Sequence, residues 1–307
     1  MKVLLIGGNG FIGSHLADKL LAEGHYVRIF DVSYERYRIQ LPNVDYRISP
    51  IQSIPDLYES MLGIDIVFHL ASASVPSTSG IDVVNEVNQN LISTLSILDL
   101  AVKLKVKKFV YFSSGGAVYG IPETSPISED HHIRPISSYG IIKSTIENYL
   151  SFYQRTYGLN TLILRPSNPY GPRQGHFLAQ GVISTFLRNL KTGNSFTVYG
   201  DGTATKDYIF ISDLVNICYN ISIGDHTGVY NIGSGIGTSI KEIISIIEAV
   251  TDKKANVIFA ESKNYDVSNF ILDITKISKD QLAKPEYSLE KGISKVWNWV
   301  LETESIH

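Results

Sequence analysis

Val3-Leu4-Leu5-Ile6-Gly7-Gly8-Asn9-Gly10-Phe11-Ile12-Gly13-Ser14-His15-Leu16 contains two different periodicities joined by glycines. Its first four residues are apolar and half of them β-branched, which reads as a short strand. From Phe11 onward the apolar residues Phe11, Ile12, Leu16 and Leu20 recur at helical spacing, and Gly24 is a favoured helix terminator. Between the two lies G-x-x-G-x-x-G, where each glycine has its own reason. Gly7 permits a tight turn, Gly10 lets the backbone approach a pyrophosphate, and Gly13 allows close packing of helix on strand. An anion bound there faces the unpaired N–H groups and positive dipole end of the helix. A glycine triplet alone is a weak signal; one set between strand and helix is strong. Asp31 closes the next strand, Tyr26 to Phe30. A carboxylate there accepts hydrogen bonds from an adenosine ribose and repels a 2′-phosphate, favouring NAD over NADP. Arg28, Arg36 and Arg38 stand close by in sequence and leave NADP open.

The alternation continues outward. Strands are expected at 64–70, 108–112 and 161–165, the last stopped by Pro166, with helices at 83–103 and 137–157, the latter ended by Gly158. Short strands, apolar on both faces and separated by helices, predict an α/β fold with a doubly wound parallel sheet covered on both sides, Rossmann-like. The second half is less regular, with turns at Gly171-Pro172, Gly193-Asn194, Gly200-Asp201-Gly202 and Gly233-Ser234-Gly235. Helices are expected at 180–190, 212–221, 239–250 and 289–301. The expected division is a dinucleotide-binding domain of 1–170 and 205–230, and a smaller α/β substrate lobe of 171–204 and 231–307.

The 307 residues are 44% hydrophobic and 19% charged, with 27 Lys+Arg against 30 Asp+Glu, a net charge of -3. That composition excludes a disordered chain, and without a Lys/Arg-rich run it speaks against a nucleic-acid partner. The one cysteine, Cys218, cannot form an internal disulfide or a thiolate metal site. The histidines, His131-His132 included, lack metal-ligand spacing, so no metal is expected. No apolar run is long enough for a membrane span, and the N-terminal one is too short for a secretory signal. A cytoplasmic protein is expected.

Tyr139 and Lys143 stand at i and i+4 on one face of the 137–157 helix. A phenol near pKa 10 is a poor base at neutral pH, and an adjacent ammonium is expected to lower it. The pair then suits proton removal from a sugar or alcohol hydroxyl. Tyr287 and Lys291 repeat the spacing, but only Tyr139 follows a strand of the dinucleotide fold.

These residues carry a resemblance. With Val67-Phe68-His69-Leu70-Ala71, Asn90, Ser113-Ser114-Gly115-Gly116-Ala117-Val118-Tyr119-Gly120, Arg165-Pro166-Ser167-Asn168-Pro169-Tyr170-Gly171-Pro172, Gly200-Asp201-Gly202, Lys206-Asp207-Tyr208 and Tyr230-Asn231-Ile232-Gly233, the chain resembles the extended short-chain dehydrogenases/reductases over nearly its whole length. Within them it is most similar to the NAD-dependent nucleotide-sugar epimerases and dehydratases, above all the 4-epimerases. The resemblance implies retained NAD, and oxidation of a UDP- or TDP-hexose at carbon 4 to a keto sugar with hydride return to the opposite face. It implies Tyr139 as base and Lys143 on the nicotinamide ribose. Gly7, Gly10, Phe11, Ile12, Gly13, Asp31, Leu70, Ala71, Asn90, Ser113 and Pro166 would complete the cofactor site. Asn168 would lie near the substrate diphosphate, and Thr197, Val198 and Tyr199 along the nucleotide base. The family commonly dimerises through two helices, which by position are 83–103 and 137–157.

Four departures from the family pattern bear on function. Gly115 and Ala117 stand where the family bears hydroxyls. Ser114 is the nearest hydroxyl and is expected either to bridge the proton to Tyr139 or to bond backbone at the strand end. Lys206 and Lys263 replace arginines on the diphosphate and keep the charge without the bidentate fork. Phe270 stands where pocket size is governed and argues against an N-acetyl sugar. Ser49 replaces an aspartate that reaches the adenine. Gly116 and Ala117 supply no acid for a 4,6-dehydratase. A keto-sugar reductase shares nearly every residue named, and a non-catalytic NAD or nucleotide-sugar-binding regulator is the reading that Gly115 alone favours.

Overall fold

The computed structural model describes residues 1–74, 79–175, 181–261, 269–280, 282 and 284–303. They form two compact units. The first comprises Met1–Ile121, His131–Arg165 and Cys218–Tyr230, and the second Pro122–Asp130, Pro166–Ile217 and Asn231–His307.

In the first unit, β1 (Lys2–Ile6), β2 (Tyr26–Asp31), β3 (Val44–Ile48), β4 (Ile66–His69), β5 (Lys108–Phe112) and β6 (Thr161–Pro166) join in the order β3-β2-β1-β4-β5-β6, every pairing parallel. Gly228–Ile232 (β10) adds a seventh strand beside β6. Reversal of strand order at β1 is the hallmark of a doubly wound sheet, whose ligands bind at the carboxyl ends of the strands. β4 and β5 are buried along their whole length, as expected of strands covered on both faces. Leu4, Ile6, Val67, Phe109 and Tyr111 pack with Leu57 of α2 (Ile54–Met61), Ile97 of α4 (Ser93–Lys103) and Ile146 of α6 (Ser138–Tyr157). The alternate residues Leu5, Ile29, Phe68 and Val110 are as deeply buried on the other face. α1 (Phe11–Ala22) follows the glycines as expected.

The expected helix at 83–103 is interrupted. α3 (Val83–Glu86) passes through a π turn, Val87–Ile92, before α4 begins. Side chains compete there for carbonyls: Asn90 Nδ2 donates to Glu86 O at 2.9 Å and Ser93 Oγ to Asn88 O at 3.2 Å. Such π turns gather at functional sites, and this one aims Asn90. A short helix, α5 (Gly115–Val118), follows β5.

In the second unit, β7 (Asn168–Tyr170), β11 (Gly237–Ser239) and β13 (Asn269–Phe270) all pair with β9 (Thr205–Phe210), while β8 (Phe196–Tyr199) pairs with β12 (Val257–Ala260). Helices α7 (Val182–Thr192), α9 (Ile240–Thr251), α10 (Thr275–Lys279) and α11 (Leu289–Thr303) belong here. The expected domain bounds need correction. Residues 205–217 belong to the second unit, because β9 pairs with that unit's strands; the division falls inside α8 (Ile211–Ile223), at Cys218. Residues 166–170 go with them through β7, and Pro122–Asp130 through the bridge between Ile127 and Leu272. Cys218 is 1% exposed, and burial pushes its thiol pKa up.

Candidate active site

Gly7 has φ +83, and a Cβ on it would lie 2.6 Å from the Ala71 amide nitrogen; one on Gly13 would lie 2.5 Å from the Gly7 carbonyl. Both positions therefore require glycine, and the turn is pressed against the end of β4, where the Leu70 and Ala71 amides donate to Ile6 O. Gly10 differs. A Cβ there would meet only Gly7 O at 3.4 Å, so its outer side is open. Gly10 is also the N-cap of α1, without a side-chain cap, and the first turn carries no acid. The amides of Phe11, Ile12 and Gly13 thus form an uncapped positive helix end beside an open glycine, which fits a dinucleotide pyrophosphate.

Asp31 lies beside this turn. Its Oδ2 accepts the Asn9 amide at 2.9 Å and its Oδ1 the Val32 amide at 2.7 Å, tying β2 to the glycine turn. Burial raises its carboxyl pKa, and the backbone hydrogen bonds from Asn9, Val32 and Ser33 oppose the rise. Three backbone donors leave about one of the carboxylate's four lone pairs for a ribose hydroxyl, which suits an adenosine ribose. Arg38 is engaged by Asp18 at 2.5 Å and Glu35 at 3.0 Å. The Ser49 hydroxyl donates to Asp56.

Tyr139 and Lys143 lie one turn apart on α6. Gly140 decides how near α5 comes: a Cβ there would stand 2.4 Å from Ala117 O. This close approach brings Ser114, the N-cap of α5, to Tyr139, and the two side chains are hydrogen-bonded. Of the two expectations for the Ser114 hydroxyl, the geometry matches the bridge to the phenol. Lys143 Nζ donates to Phe112 O at 2.8 Å and lies 4.8 Å from the centre of the Tyr111 ring and 5.6 Å from that of Tyr139. Burial pulls the Lys143 ammonium down to about 8, against the opposing charge of Glu147. Burial also raises the Tyr139 phenol to about 12, and the Ser114 hydrogen bond only partly offsets this. The expected lowering of the phenol by Lys143 is therefore not a property of the protein alone. Desolvation outweighs it.

The Ser113 hydroxyl points inward and donates to Glu147, so it serves the core. Asn90 is fully engaged as well. Its Oδ1 accepts the Ala73 amide at 2.8 Å, and its Nδ2 donates to Glu86 O and, at 3.4 Å, to Ser74 Oγ. It holds the segment after β4. Behind these residues, His69, Asn90, Thr94, Tyr111, Tyr139 and Lys143 line a cavity of about 10 Å³, room for about one water. Thr94 Oγ1 donates to Asn90 O at 2.6 Å, so it accepts from His69 Nε2 at 2.8 Å, and the imidazole carries its proton on Nε2. Among the described residues neither His69 Nδ1, an acceptor in this tautomer, nor the Tyr111 hydroxyl has a hydrogen-bond partner, and one water that accepts from the phenol and donates to the ring would satisfy both.

Burial, helped by Lys143, holds His69 down to about 3. The unfolded chain takes up a proton near pH 6.5 that the fold refuses. This stability is therefore complete above pH 6.5 and is lost as pH falls toward 3. The gap corresponds to about 5 kcal/mol at most. Urea unfolding from pH 7 to 4 is expected to show a steep acid limb in the native protein and a flatter one in His69→Gln.

The second unit places the remaining residues. Asn168 Nδ2 donates to Asp207 O at 2.9 Å, and Lys206 on β9 pairs in register with Phe270 on β13, so Asn168, Lys206 and Phe270 share one small sheet. Phe270 is buried at 3% exposure. On β8, Thr197 and Tyr199 are exposed, whereas Val198 is buried. Strand alternation turns the Val198 side chain into the core and leaves those of Thr197 and Tyr199 on the exposed face. Pro166 ends β6 and is buried. Lys263 lies outside the described residues.

Three acidic residues have no role in the sequence reading. Asp207 is fully buried, and its Oδ1 accepts both the amide and the hydroxyl of Ser234, at 2.8 and 2.7 Å, fixing the Gly233-Ser234-Gly235 turn. Glu147 forms a buried ion pair with Arg165, Nη2 to Oε2 at 2.6 Å. Its place one turn after Lys143 was the available signal. Glu86 accepts hydrogen bonds from Ser79, Gly80 and Ser138.

Comparison with known proteins agrees with this geometry. A Mycolicibacterium smegmatis UDP-glucose 4-epimerase is 30% identical, covering 96% of this chain and 97% of that protein. An Escherichia coli dTDP-4-dehydro-6-deoxyglucose reductase is 32% identical, covering 96% of each. Among solved structures, the Thermotoga maritima UDP-glucose 4-epimerase with UDP-glucose superposes with a TM-score of 0.94 at 32% identity, covering 99% of this chain and 100% of that one. The sequence profile of the NAD dependent epimerase/dehydratase family matches residues 3–233, and with the glycine turn, Asp31 and the Ser114–Tyr139–Lys143 cluster in place, the chain belongs to that family.

Proposed function

We propose that this enzyme epimerises a nucleotide-activated hexose, a UDP- or TDP-sugar, at carbon 4. The observation that carries the reading is the hydrogen bond between Ser114 and Tyr139, with Lys143 held one turn away by Phe112 O. Bound NAD supplies the hydride acceptor and a nicotinamide charge that favours the phenolate. Tyr139 takes the proton of the sugar hydroxyl through the Ser114 hydroxyl, and returns it once the keto sugar has presented its other face. Lys143 spends one N–H on Phe112 O and has two left for the cofactor ribose. Lys206 offers a point charge to the diphosphate, beside Asn168 on the same sheet. Thr197 and Tyr199 offer the exposed face of β8 to the nucleotide base.

The hydrogen bond of Ser114 to the phenol supports an enzyme over a regulator despite the glycine at position 115. A keto-sugar reductase is the second reading, supported by the 32% identical reductase. The two part on cofactor balance. An epimerase returns its hydride and needs no added NAD(H), whereas a reductase consumes one NAD(P)H per turnover. Purified protein is expected to convert UDP-glucose to its 4-epimer without added cofactor, and to release NAD on denaturation. Net NAD(P)H oxidation by a 4-keto sugar, with no epimerisation, would replace this reading by the reductase.

A cytoplasmic homodimer in sugar interconversion or polysaccharide synthesis completes the proposal. Val84, Ile92, Ile141, Tyr149, Phe152 and Tyr157 are exposed on the α3–α4 segment and α6, the two helices expected at the interface. No described helix is long and apolar enough to cross a membrane, and no metal-binding group of His, Cys, Asp and Glu is found among the described residues.

A further inference from the structure

We infer that Glu86 is a positioning residue for Tyr139: acting through Ser79, it holds the Tyr139 amide and so sets where the phenol meets the Ser114 hydroxyl. The inference rests on the proposed role of Tyr139 as base.

A helix begins with N–H groups that have no acceptor within the helix. In α6, the Gly140 amide donates to the Ser137 hydroxyl at 3.1 Å, a local cap. The Tyr139 amide instead donates at 2.7 Å to Ser79 Oγ, 60 residues away in sequence. Ser79 in turn donates its hydroxyl proton to Glu86 Oε2 at 3.2 Å, which leaves a lone pair facing Tyr139. The same carboxylate oxygen accepts from Ser138 Oγ at 2.8 Å, and Oε1 accepts the Gly80 amide at 2.7 Å. Glu86 is 8% exposed. A buried carboxylate accepts only, so three donors converging on it fix one another's orientation. Its charge also suits the positive end of a 20-residue helix.

What this clamp adds is distance. Ser137 caps α6 from within the helix, whereas Ser79 and Glu86 tie it to the segment after β4 and to α3. One turn beyond Glu86, Asn90 holds the other described arm of that segment through Ala73 and Ser74. Asn90 sits within the π turn that begins directly after Glu86, and Glu86, through Ser79, fixes the amide of the residue whose side chain carries the proposed chemistry. Misplacing a reacting group by about 1 Å costs about 10²-fold in rate.

Steady-state kinetics of the full chain test this. Glu86→Ala is expected to lower kcat about 10- to 100-fold, with the KM for UDP-hexose within about twofold and NAD content unchanged. Glu86→Gln keeps an oxygen for the two serine hydroxyls and is expected to restore most of kcat. Ser79→Ala, which removes only a hydroxyl and serves also if Glu86→Ala fails to fold, is expected to match the Glu86→Ala loss. The double variant should lose no more than either alone. An unchanged kcat with a lowered Tm, a change confined to KM, or fully additive losses would overturn the inference. Tyr139→Phe run beside these keeps the two readings apart: full activity there sinks the role of Tyr139, while intact Glu86 variants beside a dead Tyr139→Phe sink only the clamp.

Discussion

Tyr139→Phe is expected to lower kcat by about 10²- to 10⁴-fold, the ordinary span for a positioned general base. The ring and its packing against Lys143 survive the change, and only the hydroxyl that joins Ser114 is lost. Fold, NAD content and the KM for the nucleotide sugar should therefore hold, and the loss should sit in kcat. The pKa values sharpen the expectation. With the phenol raised to about 12 and the ammonium lowered to about 8, the protein alone holds Tyr139 protonated near neutrality. Base catalysis by Tyr139 would then need the positive charge that bound NAD would supply. Loss of activity together with loss of NAD would point to a structural role for the hydroxyl, and unchanged turnover would remove Tyr139 from the mechanism.

The second large effect concerns stability. Glu147→Ala is expected to cost about 3–5 kcal/mol, because it leaves the Arg165 guanidinium buried without its counter-charge. The pair lies deep, with side-chain exposures of 3% and 5%. Arg165 Nε donates to Oε1 at 3.1 Å, Ser113 donates to the same oxygen, and Arg165 Nη1 donates to the Tyr119 hydroxyl at 2.8 Å. One carboxylate thus joins the ends of β5 and β6 to α6. Replacing both partners, Glu147→Leu with Arg165→Met, is expected to recover most of the loss, since an apolar pair leaves no unpaired charge. Denaturant unfolding of the two variants beside the native protein measures this. Equal losses in the single and double variants would show that packing, not charge, sets the cost. The single variant should also lower the pKa of Lys143 further, because Glu147 is the charge that now opposes its desolvation.

The central sheet was legible because its strands are buried on both faces and so read as apolar runs. β3 was not assigned bounds from sequence, and its composition explains why. Val44–Ile48 reads Val-Asp-Tyr-Arg-Ile and is only half buried at the sheet edge, so no run marks it. The π turn was hidden because Asn90, Ser93 and Thr94 divert helix carbonyls through side-chain contacts that apolar spacing does not record. Gly7, Gly10, Gly13 and Asp31 could be read directly, since each answers a local need of one turn. Ser114 could not be resolved between two partners, because the answer depends on how closely Gly140 lets α5 approach α6. The order of the Tyr139 and Lys143 pKa values was likewise out of reach, being set by burial rather than by spacing. In the second unit, β8 alternates Thr197 and Tyr199 outward with Val198 inward, and a contiguous family segment conceals that alternation.

The solitary, sealed thiol of Cys218 gives the molecule a built-in reporter. Thiolate chemistry needs both solvent access and ionisation, and the native fold denies both at this position in α8. A thiol-reactive dye added to intact enzyme therefore labels only molecules in which that helix has transiently opened. The labelling rate reports local opening at the point where the two compact units divide along the chain.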